Sequence, residues 1–217
     1  MNYIAEQYQA VKSALPSDIT LVAVSKTHST DKIRQVYDLG QRIFAENKVQ
    51  ELVEKAPLLP KDIQWHLIGH LQTNKVKYIA DFVDTIQSVD SEKLLSEINK
   101  HAGKHQRIIK VLLQVKIAEE DTKSGMEISE TKELFLKWLQ GSFPNVKIMG
   151  LMGMATFTDD EAQIEREFRF LKRLYDQLSL QHPLSVLSMG MSGDYPLAIA
   201  CGANSVRIGS AIFGNRL

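Results

Sequence analysis

Cysteine is almost missing from this chain: Cys201 is the single thiol. A lone thiol excludes an intramolecular disulfide framework and suits a reducing compartment. Net charge is missing too, because 26 Lys and Arg balance 26 Asp and Glu. Nothing in that balance points to nucleic acid or to a charged membrane surface. No apolar stretch approaches the length that spans a membrane. The opening MNYIAEQYQA is acidic and polar where a signal peptide needs an apolar run. There is no linker rich in Pro, Gly or Ser and no low-complexity tract. The GxSxG elbow, the P-loop, GxGxxG and paired-carboxylate spacings are all absent. These absences lead us to expect a cytoplasmic chain with neither nucleic acid nor membrane as a partner.

What is present is an alternation. The 217 residues, 44% hydrophobic and 24% charged, fit one globular domain over 1–217. An opening helix puts Ile4, Tyr8, Val11 and Leu15 on one stripe, with Pro16 beyond its end. Eight β-rich runs follow, at 21–26, 42–47, 63–69, 85–90, 110–117, 146–154, 184–191 and 205–209. Most are continuously apolar, as parallel strands covered on both faces should be. Amphipathic helical patterns fill the gaps. The clearest is 160–179, with Ile164, Phe168, Leu171, Tyr175 and Leu178 on one face. Segment 91–103 opens on an Asp90-Ser91 cap signal, and 129–140 on Ser129 with only a partial capping box. Eight βα units in this length predict a compact α/β fold, a (β/α)8 TIM barrel with an extra N-terminal helix. An open doubly wound sheet is the alternative.

In a barrel, active groups gather at the C-terminal ends of the strands. Those ends carry Lys26, Asn47, His66, Asp90, Lys116, Met154, Ser192 and Arg207. Lys26 closes the apolar run LVAVSK. An amine held at a buried strand tip tends to lose its proton and become a nucleophile, typically toward an aldehyde such as pyridoxal phosphate (PLP). A lysine that closes the strand and reaches solvent is the plainer reading. After strand 7 comes MGMSGD, and after strand 8 comes GSAI. Ser192, Gly209 and Ser210 in these loops suit a phosphate site, or they are ordinary turns and helix caps. Arg207, inside an apolar strand, is either ion-paired or in contact with a ligand. His66 and His70 straddle a strand end and Gly69, the wrong geometry for a helical metal pair. Lys123 reads as a solvated loop residue that could touch an anionic ligand.

In combination, several stretches carry a resemblance. They are AVSKTHS around Lys26, FAENKVQE at 44–51, WHLIGHLQTNK at 65–75, KSGM at 123–126, GLMGMAT at 150–156, LSMGMSGDY at 187–195 and SVRIGSAIFG at 205–214. In order and over almost the whole chain, they resemble the PLP homeostasis protein family, which is similar to the barrel domain of alanine racemase. The resemblance implies a Schiff base between PLP and Lys26. It implies that Ser192, Gly209 and Ser210 hold the phosphate and that Arg207 faces the pyridine nitrogen. Asn47 and His66 are expected to line the same pocket. Gly193 departs from the family, many members of which have a larger residue there. A protonated arginine cannot hand a proton to the pyridine nitrogen, so carbanion chemistry would be restrained. The chain ends where a racemase would continue into a second domain, so two-base racemisation is not expected. The expected role is a carrier that buffers PLP or delivers it to PLP-dependent apo-enzymes, as a monomer and without robust catalysis. The alternatives are a low-activity amino-acid racemase and a barrel that binds some other phosphorylated metabolite.

Overall fold

In a computed structural model, which describes residues 3–119 and 124–214, eight strands form a closed parallel barrel in sequence order. The strands are β1 (Thr20–Val24), β2 (Ile43–Glu46), β3 (Gln64–Leu67), β4 (Thr85–Val89), β5 (Ile109–Gln114), β6 (Val146–Met152), β7 (Val186–Ser188) and β8 (Ser205–Ile208). Closure comes from β8 pairing with β1, with Leu21 beside Val206 and Val22 beside Arg207. The barrel rather than the open sheet is therefore the fold. All eight apolar runs are strands, although several are shorter than their hydrophobicity suggests. The fifth leaves the ladder after Gln114, where Val115 turns to pair with Met126. The seventh stops at Ser188, ahead of Gly190 at φ +94°.

The helices are α1 (Tyr3–Ala14), α2 (Thr30–Asp38), α3 (Val49–Lys55), α4 (Glu92–Lys104), α5 (Ile128–Leu139), α6 (Glu161–Ser179), α7 (Tyr195–Ala200) and α8 (Ser210–Phe213). Ser91 caps α4 by accepting from the Leu94 N–H at 3.3 Å. The start of α5 differs from expectation. Glu127 is its cap, with its own N–H bonded to Glu130 at 2.9 Å, and Ser129 falls inside the first turn. Two glutamates three residues apart complete a box that Ser129 and Lys132 cannot.

Alternation along the strands divides the side chains into two layers. Leu21, Ala23, Phe44, Trp65 and Leu67 join the large core between barrel and helices. Val22, Val24 and Ala45 form a separate small cluster with Ile43 and Ile68. This second set lines the barrel interior, which also holds Arg207, Ser188, Gln87 and His66 in mutual hydrogen bonds. The parity that turns Val22 and Val24 inward carries the next alternate residue, Lys26, to the mouth.

Candidate ligand site at the barrel mouth

A cavity of about 670 Å³ opens at the C-terminal ends of the strands. Its lining includes Lys26, Asn47, Ser192, Arg207, Gly209 and Ser210. Six of the seven residues selected from sequence thus meet in one place. His66 does not, and the expectation for it is corrected. The residue that reaches the mouth here is Ile68, just past the end of β3, and His66 lies two positions deeper, about 6.6 Å by strand geometry. Its ring instead lines a second cavity of about 280 Å³ at the opposite end, with Gln64, Asp84 and Lys110. Sequence reasoning missed His28, Gln114, Ser124 and His70 at the mouth. His28 stacks on Phe213, with ring centroids 5.1 Å apart. Gln114 donates to the Ser124 carbonyl at 2.8 Å. The signal for Gln114 was a polar residue inside the apolar run of strand 5. Asp90 and Lys116 are not among the lining residues. Lys123 lies outside the described residues.

The formal charges among the lining side chains are positive. Lys26 and Arg207 line it together with His28 and His70, and no carboxylate does so among the described residues. Beyond the ends of β7 and β8, the Ser192 hydroxyl accepts from the N–H groups of Gly209 and Ala211 at 3.3 and 3.4 Å. Both bonds are long, so these donors retain capacity for a stronger acceptor. A Cβ on Gly209 would come within 3.1 Å of the Val24 carbonyl, so glycine is what fits between loop and strand.

Arg207 is buried, 3% exposed, and has no carboxylate within ion-pair distance among the described residues. Its guanidinium donates to Ser188 Oγ at 2.6 Å and to the Gly153 carbonyl at 3.0 Å. Burial pulls its pKa down to about 10, against the attraction of Asp194, which leaves it a cation at neutral pH. Because arginine only donates, each partner in turn must pass its own proton onward. Ser188 donates to Gln87 Oε1 at 2.7 Å, and the Gln87 amide donates to His66 Nδ1 at 2.9 Å. That places the imidazole proton on Nε2, 3.6 Å from Asp84. Burial holds the His66 pKa down, with Asp84 opposing, so the ring stays neutral. Burial would raise the Asp84 pKa, but bonds from His66, Thr85 and Lys110 outweigh it and hold the carboxyl well below its ordinary value. One directed chain therefore runs from the mouth through the barrel to an anion at its far end. This is the structural role that His66 fills.

A second polar cluster backs the strand tip that carries Lys26. Glu46, fully buried, accepts from Ser25 Oγ at 2.7 Å and from Lys55 at 2.9 Å. Its other oxygen has no hydrogen-bond partner among the described residues. Lys55 also reaches Glu51 at 2.8 Å and the Ser25 carbonyl at 3.1 Å. Glu51 accepts from the Thr27 N–H at 2.7 Å. Thr27 sits at φ +68°, a region that β-branched residues rarely enter and that costs roughly 1–3 kcal/mol. Burial pushes the Glu46 pKa up from 4.5 to about 7, against Ser25 and Lys55, with Glu51 adding to the rise. The folded chain thus keeps this proton to a higher pH than the unfolded chain does. The corresponding stability is fully present below pH 4.5 and falls as pH rises to about 7. The expected slope is at most about 1.4 kcal/mol per pH unit. Urea unfolding at a series of pH values should show this slope flattened in Glu46→Gln. An unchanged slope would remove Glu46 as its source.

The sequence pattern of the alanine racemase N-terminal domain matches residues 1–216. The pyridoxal phosphate homeostasis protein of Aquifex aeolicus is 41% identical over 199 residues, covering 90% of this chain and 86% of the relative. Its counterpart in Synechocystis is 38% identical over 214 residues, covering 97% of each. Among solved structures, PipY of Synechococcus elongatus, with PLP bound, aligns with a TM-score of 0.87 at 38% identity, covering 97% of this chain and all of PipY. Alanine racemase from E. faecalis aligns with a TM-score of 0.75 at 15% identity, over 99% of this chain and 58% of the racemase, a likeness of fold alone. On the strength of these matches, the chain belongs to the pyridoxal phosphate homeostasis protein family, built on the alanine racemase N-terminal fold.

Proposed function

We propose that this protein holds PLP at the barrel mouth, covalently through Lys26, and buffers or delivers it in vitamin B6 homeostasis without robust catalysis. One observation carries this reading: an amine, a buried arginine, three serines and convergent backbone N–H groups meet in one cavity that no carboxylate lines among the described residues. An anion that carries an aldehyde suits that donor set. PipY, solved with PLP bound, supports the same reading. When bound, PLP supplies an electrophilic aldehyde carbon and, in catalysts, an electron sink.

The chain's own groups define the roles. Lys26 is the nucleophile. Ser192, Ser210 and the N–H groups of Gly209 and Ala211 bind the phosphate. Asn47 lines the wall beside the lysine. Arg207, fixed by Ser188 and Gly153, presents a donor that stays protonated. A ring nitrogen held against Arg207 would gain no proton from it, which would keep electron withdrawal weak and favour the role of carrier over that of catalyst. The relatives' names, homeostasis proteins rather than enzymes, support that choice. The single cysteine, free and buried, fits the cytoplasm. We take the working unit to be a monomer with PLP-dependent apo-enzymes as recipients.

The test is the visible absorption spectrum of the purified protein, before and after borohydride, with the modified lysine mapped by peptide mass spectrometry. A band that disappears on reduction and an adduct on Lys26 are expected. Failure to develop a band even after PLP is added would sink the proposal. Amino-acid racemisation should not exceed that of Lys26→Ala, and turnover that depends on Lys26 would reassign the protein as an enzyme.

A further inference from the structure

We propose that Glu51 and Lys55, both on α3, are the positioning residues that aim Lys26 into the cavity by holding the peptide groups on either side of it. The inference rests on the function proposed above. The carbonyl of Ser25 belongs to the peptide that enters Lys26, and the N–H of Thr27 to the peptide that leaves it. Lys55 donates to the first at 3.1 Å, and Glu51 accepts from the second at 2.7 Å. The two side chains are bonded to each other at 2.8 Å, one helical turn apart. Lys55 also reaches Glu46, which takes the Ser25 hydroxyl. Both ends of the lysine's backbone are therefore tied to one ionic cluster outside the barrel.

The clamp has a specific task. Thr27 stands at φ +68°, where a threonine does not rest unaided. Only with the chain reversed there does Lys26 remain at the strand tip while residues 28–30 turn away toward α2. Two bonds hold that conformation: the His28 N–H donates to the Ser25 carbonyl at 3.1 Å and closes the turn, and the Thr27 N–H donates to Glu51 at 2.7 Å. Without Glu51 only the turn bond opposes the strain at Thr27, and movement toward negative φ swings the preceding residue off the direction set by Val22 and Val24. A small misplacement of a reacting group costs far more in rate than in stability.

A double-variant rescue tests the clamp. Glycine enters the left-handed region without penalty. Glu51→Ala is expected to slow borohydride trapping of PLP on Lys26 by about tenfold. Adding Thr27→Gly to Glu51→Ala should recover most of that loss, because glycine no longer needs the carboxylate to hold its conformation. A parallel readout uses the apo-protein without PLP: reductive methylation of Lys26 by formaldehyde with cyanoborohydride as the hydride donor, measured against exposed lysines in the same digest. Its pH profile should shift in Glu51→Ala and return in the double variant. Wild-type trapping rates in Glu51→Ala would overturn the proposal, as would a double variant no better than Glu51→Ala. Thermal unfolding of each variant separates lost aim from lost fold. If the wild type forms no PLP adduct on Lys26, the function proposed above fails, while the methylation series still reports on the clamp.

Discussion

Lys26→Ala and Lys26→Arg are both expected to eliminate the covalent PLP adduct, with no residual borohydride-stable product at position 26. The pair is informative because the two changes remove different things. Alanine removes both charge and nucleophile. Arginine keeps the charge, but its guanidinium stays protonated and cannot attack an aldehyde. Were Lys26 only an electrostatic contact for a phosphorylated ligand, Lys26→Arg would retain PLP. Because we assign it the role of nucleophile, both variants should lose the visible band, and PLP affinity should fall by about a hundredfold, near 2.7 kcal/mol. The phosphate donors around Ser192 remain, so weak reversible binding persists. Lys26 is only half-buried, so melting temperature should change by no more than about 2 °C. Equilibrium dialysis with PLP, beside a melting curve, checks both halves. Retention of wild-type affinity by Lys26→Arg would reduce the lysine to a mere charge.

How legible this site was depends on what each residue needs from the rest of the fold. The strands were readable because parallel strands covered on both faces are apolar throughout, and eight such runs fall at regular intervals. Lys26 and Arg207 were readable because a charge in such a run demands an explanation. Ser192, Gly209 and Ser210 were readable as loop chemistry at a barrel mouth. His66 was misplaced because alternation reports which face a residue occupies but not its depth. One extra residue pair in strand 3 moves a side chain from the mouth to the far cavity. The chain Arg207–Ser188–Gln87–His66 was invisible for a related reason. It joins four strands, and only the barrel's closure brings their interiors together. The Glu46, Glu51 and Lys55 cluster lay partly within the quoted stretch FAENKVQE, yet only Asn47 drew notice. The i, i+4 pairing of Glu51 with Lys55 says nothing of Ser25 and Thr27 until β1 and β2 are set side by side.

Gly150→Ala is expected to be the most damaging small substitution in the barrel. Gly150 lies in β6, paired with Leu112 on one side and Val186 on the other, where the ladder to β5 slips by a residue. A Cβ there would stand 1.7 Å from the Val186 carbonyl oxygen and 2.7 Å from its carbon. Both are backbone atoms, so no rotamer relieves the overlap, and the β6–β7 pairing has to open. β7 is short, Val186–Ser188, with little ladder to spare. We expect a loss of about 3 kcal/mol or more, which for a chain of this size lowers the melting temperature by roughly 6–12 °C. The damage should reach the mouth, because Gly153, just beyond β6, supplies the carbonyl that fixes Arg207, and Ser188 at the end of β7 supplies the hydroxyl. Gly193→Ala is the matched control. Nothing lies within 4 Å of a Cβ at Gly193, and its φ is not in the left-handed region. That change should stay within about 0.5 kcal/mol, even though Gly193 lines the ligand cavity. Thermal unfolding followed by circular dichroism decides the matter. Equal melting temperatures for the two variants would mean that β6 and β7 adjust at little cost and that the close approach at Gly150 is not what sets the barrel's geometry there.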